Sequence, residues 1–173
     1  MSLAAWAEHL AAELHARYGD YVAITVGAFR YPGRDEDRRL LPTLPDVPAA
    51  ALGLTVSPVE PLSVNSGDST MADLRVDNES RVARELHTIG HLTTYVVDGQ
   101  QQVMGGHVGA VHVPLVRFRI EPASTSRVPA LLGTASMRPE IGYAVPRGLW
   151  HVVVELPTTD GHVLSSAMPL IIT

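Results

Sequence analysis

The chain has 173 residues, a formal net charge of −5 at neutral pH and no cysteine. This length suggests one domain with its own core, and the lack of cysteine excludes disulfides, thiolate metal sites and cysteine nucleophiles. Basic residues are scattered and aromatic residues are few, so we expect no nucleic-acid partner. The apolar runs are far shorter than the roughly 20 residues of a membrane helix, so we expect no membrane partner.

All 13 basic residues are arginine. The absence of lysine excludes Schiff-base chemistry and the lysine of a phosphate loop. Together with abundant Ala, Val, Pro and Gly, it is typical of GC-rich bacterial coding, such as that of actinobacteria. Glu8 and His9 interrupt the apolar pattern at the N-terminus where an export signal would need it. We therefore expect a cytoplasmic protein.

An amphipathic helix is predicted over residues 2–18, with Ser2 as its N-cap. Its apolar stripe contains Leu3, Trp6, Leu10 and Leu14. Residues 21–31 alternate as a strand does. We therefore predict an N-terminal helix-strand element over residues 1–31, whose helix packs on a sheet. The alternative is that this helix binds a partner protein, with Trp6 as the anchor.

A proline-rich connection is predicted over residues 32–61. Six prolines lie in it, and residues 34–39 form a run of mixed charges that is typical of a solvated loop tip. Proline denies donors to a sheet and ends helices, so we expect an irregular segment. It would serve as a linker or lie as a strap across the following domain.

Residues 62–173 alternate in strand fashion between turn residues, which predicts a mainly β domain. The side chains expected to face inward on two of its strands are Val116, Phe118, Ile120, Trp150, Val152, Val154 and Leu156. About seven or eight strands are predicted, at 62–64, 71–77, 85–97 with a bend at Gly90, 102–108, 113–120, 127–132, 149–156 and 162–172. The expected architecture is an antiparallel β-sandwich domain of the immunoglobulin-like type.

One segment carries a resemblance to a known family. Pro146-Arg147-Gly148-Leu149-Trp150-His151-Val152 leads into a final hairpin, after a strand that ends at Asp77-Asn78 and a long hairpin. This layout resembles bacterial immunoglobulin-like modules whose penultimate strand opens with Pro-Gly-x-aromatic-x-Val, although Pro-Arg-Gly stands here in place of Pro-Gly. The intracellular proteinase inhibitor family is similar in layout. The resemblance covers residues 62–173 and implies an immunoglobulin-like fold, with proteinase inhibition as one possible role.

Four histidines fall close together in the sequence: His87, His91, His107 and His112. If Asp98-Gly99 begins a hairpin turn that pairs Val97 with Gln101, His91 lies opposite His107. Two facing imidazoles could share a metal ion, and a bend at Gly90 would bring His87 in as a third ligand. We therefore consider a metal site of His87, His91 and His107. The alternative is that these histidines lie on the solvated face of a hairpin.

Two further features of the sequence are candidates for binding. Gly105, Gly106 and Gly109 interrupt a strand-like stretch, which predicts a bulge or a close approach of two backbones, the alternative being a flexible binding loop. Arg117 and Arg119 point the same way from one strand. With Arg127 on a possible neighbouring strand they would form a partner-binding stripe for an acidic protein, the alternative being a solvated surface.

The sequence favours recognition over catalysis. It has no Gly-x-Ser-x-Gly motif, and we expect no cofactor. The first hypothesis is a non-enzymatic immunoglobulin-like module that binds a protein partner or associates with itself. The second is a β-protein that binds a metal or a small molecule at the histidine hairpin.

Overall fold

A computed structural model describes residues 2–3, 9–18, 25–26, 41–108 and 115–173. Within these ranges the α-helix is α1 (His9–Tyr18). Two 3₁₀ turns cover Ala49–Leu52 and Pro139–Ile141. The first seven strands are β1 (Ser2–Leu3), β2 (Thr25–Val26), β3 (Leu54–Pro58), β4 (Leu62–Val64), β5 (Ser69–Asn78), β6 (Arg84–Thr88) and β7 (Leu92–Val97). The others are β8 (Val103–Gly106), β9 (Val116–Ile120), β10 (Ser124–Gly133), β11 (Ala135–Ser136), β12 (Gly148–Thr158), β13 (Gly161–Leu164) and β14 (Met168–Ile172). The predicted mainly β class is therefore confirmed. Within the described ranges, no helix is both long enough and apolar enough to cross a membrane.

The N-terminal segment differs from the predicted helix at its start. Ser2 and Leu3 form β1, which pairs in parallel with β2, and the described helix begins at His9. Ser2 is therefore not a helix cap. The β-branched Thr25 favours an extended partner strand, and pairing with it gives the main chain of β1 the hydrogen bonds that a helix would otherwise provide. Trp6, the proposed anchor of this element, lies outside the described residues.

The main sheet is mixed and nearly closed. Its strands follow the order β3-β5-β10-β7-β12-β14-β4, and β6, β8, β9, β11 and β13 pair alongside this path. Most pairs are antiparallel, as predicted, but β10 pairs with β7 in parallel, and so does β14 with β4. Parallel pairs join strands that are far apart in sequence, so the local alternation of residues does not reveal them.

Most of the core lies where the alternation places it, although Val153 on the predicted outer face of β12 is also buried. Inward-facing residues of β5, β10 and β12 are buried, among them Leu74, Val76, Val128, Ala130, Leu132, Val152, Val154 and Leu156. Trp150 is only partly buried: its ring packs against this core, and its Nε1 donates to the carbonyl of Pro146 at 2.7 Å. Burial of these apolar side chains stabilises the fold by about 1.5–3 kcal/mol for each large residue.

Two predicted strands are each divided in the structure. The run 85–97 separates into β6 and β7 at Gly90, whose φ of +92° suits glycine because a Cβ is disfavoured there. The run 162–172 separates into β13 and β14, which pair with successive parts of β12. In both cases a continuous alternating sequence forms two short strands, which pair with different strands or with different parts of one strand.

The proline-rich connection contributes to the sheet. It contains β3, which pairs antiparallel with β5 over Leu54–Pro58, where we expected irregular chain. The strand tolerates proline because β3 is at the edge of the strand order. Residues 41–48, here called the strap, lie against β13: the amide of Leu164 donates to the carbonyl of Val47 at 2.9 Å. Leu44 of the strap packs on a small cluster of Val97, Val103 and Val153.

Candidate functional site

The hairpin between β7 and β8 has a longer turn than predicted. Val97 pairs with Val103 and not with Gln101, so the predicted register is wrong. The cause is Asp98, whose Oδ1 accepts the amides of Gln100 at 2.8 Å and Gln102 at 2.9 Å. Gln101 takes a positive φ of 59° in this wider turn. Asp and Asn often cap their own turns in this way, which favours a loop over a two-residue turn.

His91 and His107 nevertheless lie near enough for their charges to interact. His91 directly precedes β7, and His107 directly follows β8. Burial, and in second place the nearby charge of His91, lower the pKa of His107 below its usual value. The Nδ1 of His107 lies 3.1 Å from the hydroxyl of Ser69 at the start of β5. His107 therefore has one adjacent hydroxyl and lies within electrostatic range of the His91 imidazole.

His87 has different neighbours. Its Nε2 lies 3.4 Å from Glu85 Oε2 on the same strand, and it faces Arg117 across the β6–β9 ladder. In the part of the chain that the structure describes, no group of three or more His, Asp or Glu residues could hold a metal ion. The fourth histidine of the sequence cluster, His112, lies outside the described residues.

Glycines permit the close packing around His107. A Cβ on Gly105 would lie 2.4 Å from Val145 Cγ2 and 2.5 Å from the carbonyl oxygen of Ala135, and one on Gly133 would lie 2.4 Å from the His107 amide nitrogen. The predicted close approach of backbones is confirmed at Gly105. It also holds at Gly106, where a Cβ would lie 3.0 Å from Met137 Cε and 3.2 Å from the Thr94 carbonyl. Gly109 lies outside the described residues.

The arginines do not form the predicted three-residue stripe. Arg117 and Arg119 point outward from β9, but the ladder partner of β9 is β6, whereas Arg127 lies on β10 opposite Arg75. Arg119 Nε bonds Glu121 Oε1 at 2.7 Å, and this hydrogen bond raises the pKa of the guanidinium. A surface anion would therefore compete with Glu121 for Arg119.

The outer face of β7, β12 and β13 carries a polar network that the sequence did not reveal. The Tyr95 hydroxyl donates to Glu155 Oε2 at 3.1 Å, and His162 Nδ1 contacts Glu155 Oε1. Burial and the adjacent Glu155 carboxylate raise the pKa of Tyr95 to about 12, so the phenol stays protonated at neutral pH. Alternation does place Glu155 outward, but finding its two partners requires the strand pairing.

Two large aliphatic side chains lie exposed and adjacent at the other end of this face. Leu149 on β12 and Ile171 on β14 are a cross-strand pair, with 72% and 50% of their surfaces exposed. His151 and Pro169 form the next pair along the same strands and are also exposed. We call these four residues the docking face. The alternation of β12 that places Trp150 inward also places Leu149 outward, so the sequence contained the signal.

Fold and surface together define a mainly β protein. No family model matches the sequence, and no curated protein resembles it at a significant level. Solved structures that the chain resembles distantly include a β-glucosidase from Listeria innocua, with 12% identity over 69% of this chain and 16% of that one, at a TM-score of 0.37. The sporulation control protein Spo0M of Bacillus subtilis matches at 15% identity over 69% of this chain and 49% of its own, with a TM-score of 0.35. A PapD-like domain of human CEP192 matches at 12% identity over 76% of this chain and 93% of its own, with a TM-score of 0.31.

Proposed function

We propose that this chain is a cytoplasmic bacterial module of immunoglobulin-like type that recognises or assembles with another protein. The observation that carries the proposal is the docking face, where Leu149 and Ile171 lie side by side in water. Fully burying one such side chain is worth about 1.5–3 kcal/mol, and a neighbouring pair on the outer face of the sheet offers that gain to any complementary surface.

The strand order supports the immunoglobulin-like assignment. In an immunoglobulin constant-type domain, strands A, B and E share one sheet and strands C, F and G share the other. Here β3, β5 and β10 are consecutive neighbours, as A, B and E are, and β7, β12 and β14 are consecutive neighbours, as C, F and G are. On this assignment the docking face belongs to strands F and G.

The double variant Leu149→Asp/Ile171→Asp tests the docking face. We expect the wild-type protein to associate, either with itself or with a protein captured from bacterial lysate, and the variant to lose that association because a buried carboxylate is costly. Sedimentation velocity over a concentration series measures self-association, and capture followed by mass spectrometry measures binding of other proteins. Both replaced side chains are largely exposed, so the fold should remain stable.

Val82→Asp provides a matched control, because Val82 is a 59% exposed aliphatic residue in the loop after β5. This variant should associate as the wild type does. Identical sedimentation and an identical set of captured proteins for the wild type and the double variant would refute the docking face.

The histidine pair supports a second candidate function, the binding of a transition metal or of a small molecule that coordinates imidazole. His107 has a lowered pKa, so more of its imidazole is neutral at neutral pH, and the neutral ring is the form that ligates metals. With two imidazoles and a hydroxyl at hand, the expected ions are Zn²⁺, Ni²⁺ and Cu²⁺.

Thermal unfolding with each of these three ions tests the second candidate. A ligand present at 100 times its Kd stabilises the native state by about 2.7 kcal/mol, so we expect a clear rise in Tm. His91→Ala and His107→Ala should each abolish the rise, while His151→Ala on the docking face should preserve it. No rise with any of the ions, or equal rises in all variants, would dismiss this candidate.

A further inference from the structure

A small apolar cluster lies on the outer face of the sheet, away from the main core. It consists of Val97 on β7, Val103 on β8 and Val153 on β12. Because the adjacent residues Val96 and Val152 face the main core, Val97 and Val153 point to the other side of the sheet. Val103 pairs with Val97 and shares that side. All three valines are nonetheless at most 6% exposed, so other side chains must cover them.

The strap supplies part of that cover. Leu44 packs on the cluster, together with Tyr95, Met137 and Leu164. Leu44 is half-buried, whereas Thr43 and Asp46 of the strap are exposed. The strap therefore rests on the sheet through its leucine and turns its polar side chains to water.

The main chain of the strap is bonded to the sheet near its C-terminal end. Leu164 donates its amide to the carbonyl of Val47 at 2.9 Å, and Pro48 forms an isolated bridge with Leu164. Pro42 and Pro45 have no amide hydrogen, which prevents a regular strand ladder before that point. Among the described residues, 41–46 form no main-chain hydrogen bond with the sheet. An apolar anchor holds this part of the strap, so another chain can replace it without breaking the sheet.

The covered cluster continues the docking face. Val97 lies directly opposite His151, and Val153 is the next outward residue of β12 after His151. Successive outward residues of a strand are about 7 Å apart, so a chain that crosses the docking face reaches the strap within one such step. The exposed apolar pair and the covered cluster thus belong to one surface, of which the strap occupies a part.

We propose that the cluster of Val97, Val103 and Val153 binds a leucine in an extended, proline-containing segment of a partner protein. The strap occupies this site in the same molecule, and the partner displaces it. The chemistry of the partner segment follows from the strap, because the ligand that the site now holds is Leu41-Pro42-Thr43-Leu44-Pro45-Asp46. Prolines keep such a segment extended, which lowers the entropy lost on binding. This site goes beyond the docking face and does not require it.

Thiol labelling measures the opening of the strap, since the chain has no cysteine of its own. Val153→Cys places a single thiol in the covered cluster, and Val152→Cys, at the adjacent position in the main core, is the matched control. With a maleimide in excess, we expect Val153→Cys to react at least about tenfold faster than Val152→Cys, because strap opening is local whereas exposing the core requires unfolding. Adding Leu44→Ser should speed the labelling of Val153→Cys by about tenfold and that of Val152→Cys by less.

A synthetic peptide of residues 41–46 tests the binding site itself. The strap is closed in the structure, so the Kd of the same segment in trans should not exceed the effective concentration of the tethered strap, which is in the millimolar range. We expect the peptide to shift the NMR methyl signals of the three valines in the Leu44→Ser protein. Its binding to the wild type should be at least about tenfold weaker, since the intact strap competes for the site.

The control is the same peptide with Leu44→Ser, which should bind at least about tenfold more weakly because it lacks the apolar anchor. Binding of the unaltered peptide should persist when Leu149→Asp/Ile171→Asp is added, so failure of the docking face and failure of this site are separate results. The proposal is overturned if both peptides bind the Leu44→Ser protein equally or not at all. Equal binding of the unaltered peptide to the wild type and to Leu44→Ser, or equal labelling of Val153→Cys and Val152→Cys, would also overturn it.

Discussion

Replacing Asn78 with aspartate is expected to destabilise the fold by about 3 kcal/mol or more. Asn78 is 1% exposed, and its Nδ2 donates to the carbonyls of Val82 at 2.8 Å and of Ile120 and Glu121 at 3.1 Å. Aspartate has the same shape but places a second acceptor against three carbonyl oxygens. The result is a buried carboxylate whose Oδ1 still accepts the amide and hydroxyl of Ser80, but whose second oxygen faces three carbonyls where a donor stood. Such an unpaired buried charge is among the most costly of single changes. Urea unfolding of the wild type and the variant at neutral pH measures the loss.

The same variant has a predicted dependence on pH. Burial and the facing carbonyls favour the neutral acid, so the carboxyl pKa is higher in the folded variant than in the unfolded chain. The deficit in stability relative to the wild type is therefore largest above that raised pKa and shrinks as the pH falls through it, because a protonated acid regains one donor. Gln100→Glu makes the same amide-to-acid change at an exposed position and should cost less than about 0.5 kcal/mol at either pH. Equal stability of Asn78→Asp and the wild type would show that these three bonds do not hold the loop.

Asn78 also shows where prediction from the sequence reaches its limit. In the sequence, Asn78-Glu79-Ser80 is typical of a surface turn, and the chain does turn there. Two of the carbonyls that Asn78 binds belong to residues 42 and 43 positions further along the chain. A polar residue that closes a turn and one that joins two distant strands look alike until the pairing of those strands is known.

Much of the fold follows from local alternation. In β5 and β9 one face meets the core and the other faces solvent, so a period of two reveals both the strand and its orientation. In β12 the alternation identifies the main core face, but Val153 on the other face is also buried, in the cluster that Leu44 covers. Prediction failed where neighbours far apart in sequence decide the outcome, as in the parallel pairs β10–β7 and β14–β4. Prediction also failed at β3. Proline lacks a main-chain donor, so a proline-rich segment forms a strand only at the edge of a sheet, and the sequence does not show which segment lies there.

The candidate sites, like the fold, follow from the sequence only in part. The sequence did bring His91 and His107 to attention, but through a register that the wider turn at Asp98 does not allow. The position of His107 depends on the β7–β8 ladder and on the close approach of β8 to β10 that Gly133 permits, neither of which the sequence pattern specifies.

The packing around β8 leads to the second large prediction, that Gly105→Ala destabilises the fold by about 3 kcal/mol. The added methyl would lie 2.4 Å from Val145 Cγ2 and 2.5 Å from the Ala135 carbonyl oxygen. Gly105 pairs with Val96 of β7 and with Ser136 of β11, so relieving the clash requires β8 to separate from Val145 and β11. Overpacking of this kind costs about 1–3 kcal/mol and sometimes more. Chemical denaturation measures the change in the free energy of unfolding.

Gly99→Ala is the matched control, because Gly99 has no atom within 4 Å of the added Cβ and lies in the turn of the same hairpin. It should change stability by less than about 0.5 kcal/mol. If the two variants lose the same amount, the cost belongs to replacing glycine in general and not to the approach of β8 to β11. A loss confined to Gly105→Ala, together with a weaker metal-induced rise in Tm, would show that this close approach positions His107 beside His91.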